Sequence, residues 1–362
     1  MRRLRLSALL GVLALTVFLV LASAGGGARS KDFTVGFIYV GPVGDAGWSY
    51  QHDQGRLYVE SHVPGVKTIK LETVPEANVG AAIDQLVSQG ANMIFATSFG
   101  YGPGVIQKAK QYPNVFFEHA TGFMRAPNVT TYYTNHWSAA YLQGIMAGKL
   151  TKTNVLGYVA SFPISEVVRD INAYTLGARS VNPKVKVKVV LISTWFDPPK
   201  EKQAAKSLID AGADVLFGIE DSPSVLEEAA AEGKLASTVN SNMIRFGPKA
   251  FLSADVFSWG PYYASEVKAA MNGTWKSKDY WGSLKDGSIQ IAPFGPSAPQ
   301  SVRTLVNSKL QGYKNGTFNP FVGPIKDQSG KVRVPAGHKM SFLEQVEWNW
   351  YVQGVQGKLP KS

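Results

Sequence analysis

The sequence predicts an α/β protein of two similar lobes, each built on a parallel sheet. Two observations carry this prediction. From residue 32 onward, short apolar runs alternate with helical patterns, as in successive βαβ units. One stretch also recurs. "LVSQGANMIFA" (86–96) matches "LIDAGADVLFG" (208–218) in its apolar pair, two-residue spacer, Gly-Ala, Asn or Asp, and closing apolar run. In each copy a helix ends, glycine takes the left-handed position after it, and the chain enters a buried strand. Such turns are common in α/β chains, but one copy in each half of the chain favours two similar lobes.

The elements follow in order. Arg2, Arg3 and Arg5 precede an apolar run over residues 6–21, and Ala22-Ser23-Ala24 supplies a small-x-small cleavage site. This is the pattern of a secretory signal peptide over residues 1–24. The alternative is an uncleaved anchor, for which the run falls slightly short of the about 20 residues a span requires. Strands are expected at 33–40, 66–74, 93–99, 115–120 and 129–135. A second series follows at 155–160, 185–193, 215–219 and 235–240. In "NVGAAIDQLVSQG", Val79, Ile83, Leu86 and Val87 share one helical face. After the first strand, "GDAGW" carries Trp48 on a glycine-broken loop, with a helix beginning near Ser49. Trp48 there either plugs the core or awaits a flat ligand. From about Ile291 the chain becomes rich in Pro and Gly. "GPIKDQSGKVRVPAG" reads as a hairpin turning at Ser329-Gly330, and "EQVEWNWYVQGVQGKL" as a closing segment on the outside of a lobe. Its Trp348 and Trp350 are read as structural.

Composition narrows the function. The 362 residues are 45% hydrophobic and 17% charged, enough for two domains of about 100–200 residues each. No cysteine is present, so thiol nucleophiles, thiolate metal sites and a lipid-modified N-terminal cysteine are excluded, and a mature form would be released. A chain this long can rely on its core without disulfides. Net charge is +11, of which three charges belong to Arg2, Arg3 and Arg5, and the lysines form no block. Nucleic acid is a poor partner for such a surface.

Catalytic signatures are sparse. The chain has no His-Glu-x-x-His, no Gly-x-Ser-x-Gly and no phosphate loop ending in Gly-Lys-Ser/Thr. "GYGPG" (100–104) follows a strand, but Val105 stands where a dinucleotide fingerprint needs glycine or alanine. Of the five histidines, only His119 falls at a strand end. Open parallel sheets bind ligands beyond the carboxyl ends of their strands, and two facing lobes would put both sets of ends into one cleft. The loops there are "TSFGYG" (97–102), "EHATGF" (118–123), "SFP" (161–163), "STWFDPP" (193–199), "EDSP" (220–223), "NSNM" (240–243) and "SWGP" (258–261), and several present an aromatic with one or two polar groups. Such a lining suits a flat, partly polar small molecule. Trp48 and Trp195 each follow a strand, one in each half, and could close on a planar ring from both sides. Stacking of this kind is worth about 1–3 kcal/mol per ring. Glu220 and Asp221 are adjacent, so at most one of them faces the cleft. Asp221 could instead cap the helix that follows.

From about Phe33 to Trp275 the chain resembles the basic membrane protein family of ABC-transporter substrate-binding proteins, a group that includes purine-nucleoside receptors. The stretches that carry this are "GDAGWSYQHDQG", "AAYLQGIMAGKLT", "LGYVASFPISEVVRDINAYTLGAR", "STWFDPPKEKQAAKSLIDAGADVLF" and "MNGTWKS". The resemblance implies a type I periplasmic-binding-protein fold, two Rossmann-like lobes with parallel sheets joined by a three-crossover hinge. It implies an N-terminal lobe over 31–135 plus about 258–290, a C-terminal lobe over 136–257 and an extension over 291–362. The family's Asp-x-x-Phe-Asn motif falls on Asp45, Trp48 and Ser49, with Gly55 beyond. Its aromatic before an Asp-Pro falls on Trp195, two before Asp197. In nucleoside-binding members these two aromatics sandwich the purine. The family's Val-Asp-Ser-Asp, whose first aspartate holds ribose hydroxyls, reads Val239-Asn240-Ser241-Asn242 here. An amide is a weaker hydroxyl acceptor than a carboxylate, which favours a free base over a nucleoside.

The expected protein is therefore an exported, monomeric receptor that closes on a purine-like compound and hands it to an ABC permease, with no catalysis, metal or cofactor. Trp48 and Trp195 stack on the ring. Asp45, Ser49, Asn240 and one of Glu220 or Asp221 fix its polar atoms, and Ser98, Phe99, His119, Phe162 and Trp259 line the cleft. The alternatives are a ligand sensor docking a membrane receptor and an exported nucleoside hydrolase. The latter would need a carboxylate cluster that the sequence does not display.

Overall fold

The computed structural model describes residues 33–360; the signal peptide expected over residues 1–24 and the side chain of Asp45 lie outside the described residues. Two sheets organise the chain. The first contains β1 (Phe33–Ile38), β2 (Val66–Leu71), β3 (Ala91–Ala96), β4 (Phe116–Ala120) and β5 (Val129–Thr134). The second contains β6 (Val155–Ala160), β7 (Lys186–Leu191), β8 (Val215–Ile219), β9 (Leu235–Thr238) and β10 (Phe251–Phe257). Both sets share one spatial order, fifth-fourth-third-first-second, with every pairing parallel. Two late strands return to the sheets. β11 (Asp279–Gly282) pairs parallel with β5, and β12 (Ile289–Ile291) pairs antiparallel with β10. The chain thus passes between sheets three times: after β5, after β10, and between β11 and β12.

The helices that separate the strands are α1 (Trp48–His62), α2 (Val79–Ser88), α3 (Gly102–Gln111), α4 (Trp137–Leu150), α5 (Ser165–Val181), α6 (Pro198–Asp210), α7 (Ser224–Ala231) and α8 (Trp259–Met271). They cover both sheet faces, so β5 and β8 are buried along their whole lengths. The repeated motif is α2–β3 in the first lobe and α6–β8 in the second. Its glycines, Gly90 and Gly212, have φ of +89° and +96°, the left-handed turn the sequence predicts. Helices α4 and α5 approach closely because Gly144 and Gly177 face each other's neighbours. A Cβ on Gly144 would lie 2.0 Å from the Tyr174 carbonyl oxygen, and one on Gly177 2.0 Å from that of Tyr141.

The tail comprises α9 (Gln300–Lys314), the hairpin of β13 (Ile325–Lys326) and β14 (Val332–Val334), α10 (Phe342–Val346) and β15 (Val355–Gln356). Gly330 turns the hairpin with φ +86°. The tail packs on the second sheet's side: β15 extends that sheet beside β7, Trp137 donates to Gln345, and Asn172 bonds both Trp350 and Val352. Trp348 is buried.

Two sequence expectations change. Trp48 is the first residue of α1 rather than a loop residue. Strand β10 was not expected, because Ser253 and Asp255 interrupt its apolar pattern; both are fully buried, bonded to Ala292 and Gln143. Several strands also end two or three residues early. There the chain turns in the left-handed region at Thr73, Ser193 and Asn240, and Thr121 does the same after β4, which ends where expected. Such conformations cost about 1–3 kcal/mol each and gather at binding sites. Among the described residues no helix is long and apolar enough to cross a membrane.

Candidate functional site

The turns that end the strands enclose a slot between the two sheets. Val40, Trp48, Ser98, Phe99, Thr121 and Tyr133 come from the first lobe; Glu166, Trp195, Ile219, Asp221, Val239, Asn240 and Phe257 come from the second. Its empty volume is about 420 Å³, including the solvent at its mouth. A wider vestibule adjoins it through Phe99, Thr121 and Glu166, and reaches the tail at Glu347 and Asn349.

Trp48 is held rigidly. Its indole N–H donates to the Thr97 carbonyl at 2.6 Å, and only 9% of the residue is exposed. The rings of Tyr133, Phe257 and Trp259 meet it edge-on at 6.2, 5.4 and 5.8 Å. Trp195 is half-buried. It lies against Phe162 at 5.2 Å, and its carbonyl accepts from the Asp221 backbone N–H at 2.9 Å. After Trp195, the Asp197 side chain caps α6 by accepting from the Lys200 N–H.

Asp221 and Asn240 form the polar end. The Asn240 amide donates to the Asp221 carboxylate at 3.1 Å and to the Glu220 carbonyl at 3.2 Å. Asn240 sits at φ +72°, a conformation asparagine tolerates better than most residues. At the opposite side Tyr133 donates to the Glu166 carboxyl at 2.6 Å. Burial pushes the Glu166 carboxyl above its ordinary range, against the pull of Arg169 and Tyr133.

Of the residues the sequence nominated, Trp48, Ser98, Phe99, Trp195, Asp221 and Asn240 line the slot. Others stand behind the wall. Ser49 accepts from the Gly41 N–H, and His119 bonds the Ser98 carbonyl. Trp259 stacks on Phe257 and His52 behind Trp48, and Phe162 backs Trp195. Of the adjacent acids, Asp221 lines the slot and Glu220 does not; burial, with Glu201 and Asp221 nearby, raises the Glu220 carboxyl well above its ordinary range. The cap of α7 is Pro223 rather than Asp221. Sequence reasoning missed Thr121, Tyr133, Glu166 and Phe257. Thr121 lies inside a nominated loop, but the others sit within strands or a helix and carry no loop signature.

The chain is similar to known proteins in sequence and in fold. The family described as ABC transporter substrate-binding protein PnrA-like matches residues 33–320. A purine-binding protein of Brucella abortus is 43% identical over 93% of this chain and 97% of its own. A protein of Haloferax volcanii named for glucose binding in an ABC transporter is 33% identical over 93% of this chain and 83% of its own. Among solved structures, an ABC transporter solute-binding protein of Aeropyrum pernix superposes with a TM-score of 0.68 at 17% identity, covering 88% of this chain and 98% of that one. Another from Conexibacter woesei gives 0.64 at 18% identity, covering 79% and 98%. These neighbours establish the type I periplasmic-binding-protein fold. The chain belongs to the Bmp family of PnrA-like ABC transporter substrate-binding proteins.

Proposed function

We propose that this chain, exported and acting as a monomer, closes its two lobes on a purine-like ring and presents it to an ABC permease. The carrying observation is that Trp48 and Trp195, from opposite halves of the sequence, line one slot. An indole on each side gives a planar heterocycle two stacking faces, while Asp221 and Asn240 offer polar atoms at its edge. The name of the 43% identical relative supports a purine. A ring enclosed between the two lobes enters and leaves only when they part and reclose. Such closure is driven only by the ligand's higher affinity for the closed state. Asn240, in place of the family's ribose-holding aspartate, favours a free base.

Titration of ligand-free protein with adenine, hypoxanthine, adenosine and glucose, read by tryptophan fluorescence, tests this reading. Quenching or shift with a purine at micromolar concentration supports it. A response to glucose alone would reassign the slot to sugars, whose apolar faces also pack on indoles.

A further inference from the structure

Glu166 stands where the slot meets the vestibule, and it lines both. It is the second residue of α5, and only 9% of it is exposed. One carboxylate oxygen, Oε1, accepts from the Tyr133 hydroxyl at 2.6 Å. The other, Oε2, has no hydrogen-bond partner among the described residues, yet it is not sealed within the protein. It therefore opens on the space that its side chain lines. Glu220 differs, because its Oε2 is sealed without a partner. Arg169, one turn along α5, gives its Nη1 to the Val346 carbonyl at 3.2 Å rather than to Glu166. A ligand that closes the slot strips the remaining water from Glu166 Oε2, and a buried carboxylate oxygen left without a donor is costly.

We propose that Glu166, through Oε2, holds an N–H group of the bound ring and so sets which rings the slot accepts. This rests on the purine reading above and deepens it, because the ring must then carry a donor at that edge. An N–H donated to a carboxylate makes a charge-assisted bond, about twice as strong as a neutral one. A ring that presents only C–H or a lone pair there displaces the water and returns nothing. Tyr133 and Glu166 belong to β5 and α5, one in each lobe, so their bond forms as the lobes meet and fixes the carboxylate with Oε2 left to the ligand. The adjoining vestibule gives a small substituent at that edge room to lie, so hydrogen bonding rather than bulk decides between closely related rings.

The test is calorimetric titration of the ligand-free parent protein and of Glu166→Gln with three compounds: adenine, purine, which lacks the amino group, and 9-methyladenine, which lacks the ring N–H. In the parent protein at least one of the two analogues is expected to bind at least about tenfold weaker than adenine. Glu166→Gln keeps an oxygen for Tyr133 and turns an N–H toward the ligand. It is expected to weaken adenine at least about tenfold and to narrow the adenine-to-analogue ratio to less than about threefold. A purely structural role for Glu166 would lower all three affinities in proportion and keep the ratio. Glu166→Ala, read in the same way, serves if Glu166→Gln does not fold. If neither analogue falls behind adenine by about tenfold, or if the ratio stays above about threefold in the variant, this inference is overturned and the purine reading stands. If the parent protein binds none of the three, this inference falls, and the fluorescence titration above decides separately whether the purine reading falls with it.

Discussion

Trp48 and Trp195 share a slot but keep their places by different means, and their substitutions should part accordingly. Trp195 is half-buried and rests on Phe162. Trp195→Ala is expected to weaken ligand binding about 5- to 150-fold while leaving the melting temperature nearly unchanged. Trp48 is boxed by aromatic edges and tied to Thr97, so Trp48→Ala should lose affinity and also about 3–5 kcal/mol of stability in a denaturant titration. Asn240→Asp would set a second carboxylate against Asp221 at the present 3.1 Å contact. It is expected to destabilise the folded protein by about 1–3 kcal/mol at neutral pH. The tryptophan pair was legible in the sequence because each follows a strand signal in a glycine- or proline-bounded loop. Tyr133 and Glu166 were not, since they belong to a regular strand and helix, and only tertiary folding turns them toward the gap.

At the scale of elements, α4 and α5 pack backbone to backbone. Gly144→Ala would drive a methyl group into the Tyr174 carbonyl, and should cost at least about 1–3 kcal/mol by thermal or chemical unfolding. Strand β4 carries a second prediction. Glu118 is fully buried and accepts from Tyr262 and Trp275, each at 2.7 Å. Burial, reinforced by Glu266, pushes its carboxyl from about 4.5 up to about 8. The folded state therefore holds a proton that the unfolded chain releases. Glu118's contribution is complete below pH about 4.5 and is lost as pH rises through about 8. The stability difference between the protein and Glu118→Gln should shrink across that window in pH-dependent unfolding curves. The α2–β3 and α6–β8 units were readable because periodicity and glycine punctuation agree in them. The helical period was no guide to α4, because twelve of its fourteen residues are buried and no polar face remains to mark it.

Across the whole molecule, the proposed binding depends on two lobes meeting. A Cβ on Gly47 would lie 2.2 Å from the Asp221 carbonyl oxygen, and Ser241 bonds the Ala46 carbonyl across the same boundary. Gly47→Ala is therefore expected to obstruct closure and lower ligand affinity at least about tenfold. Small-angle scattering should show a ligand-induced contraction in the parent protein and a reduced one in the variant. The two-lobed order of strands was foreshadowed by the internal repeat. The docking of the tail on α4, α5 and β7 was not, because its contacts join residues far apart in sequence and it carries no repeat or period of its own.

The central claim is that a planar ring is gripped between Trp48 and Trp195, and a structure of the protein crystallised with adenine tests it most directly. The account predicts the ring lying parallel to both indoles, at a separation of about 3.5–4.0 Å from each, with a polar edge toward Asp221 and Asn240. A ring bound outside this slot, or held edge-on to either indole, would contradict it.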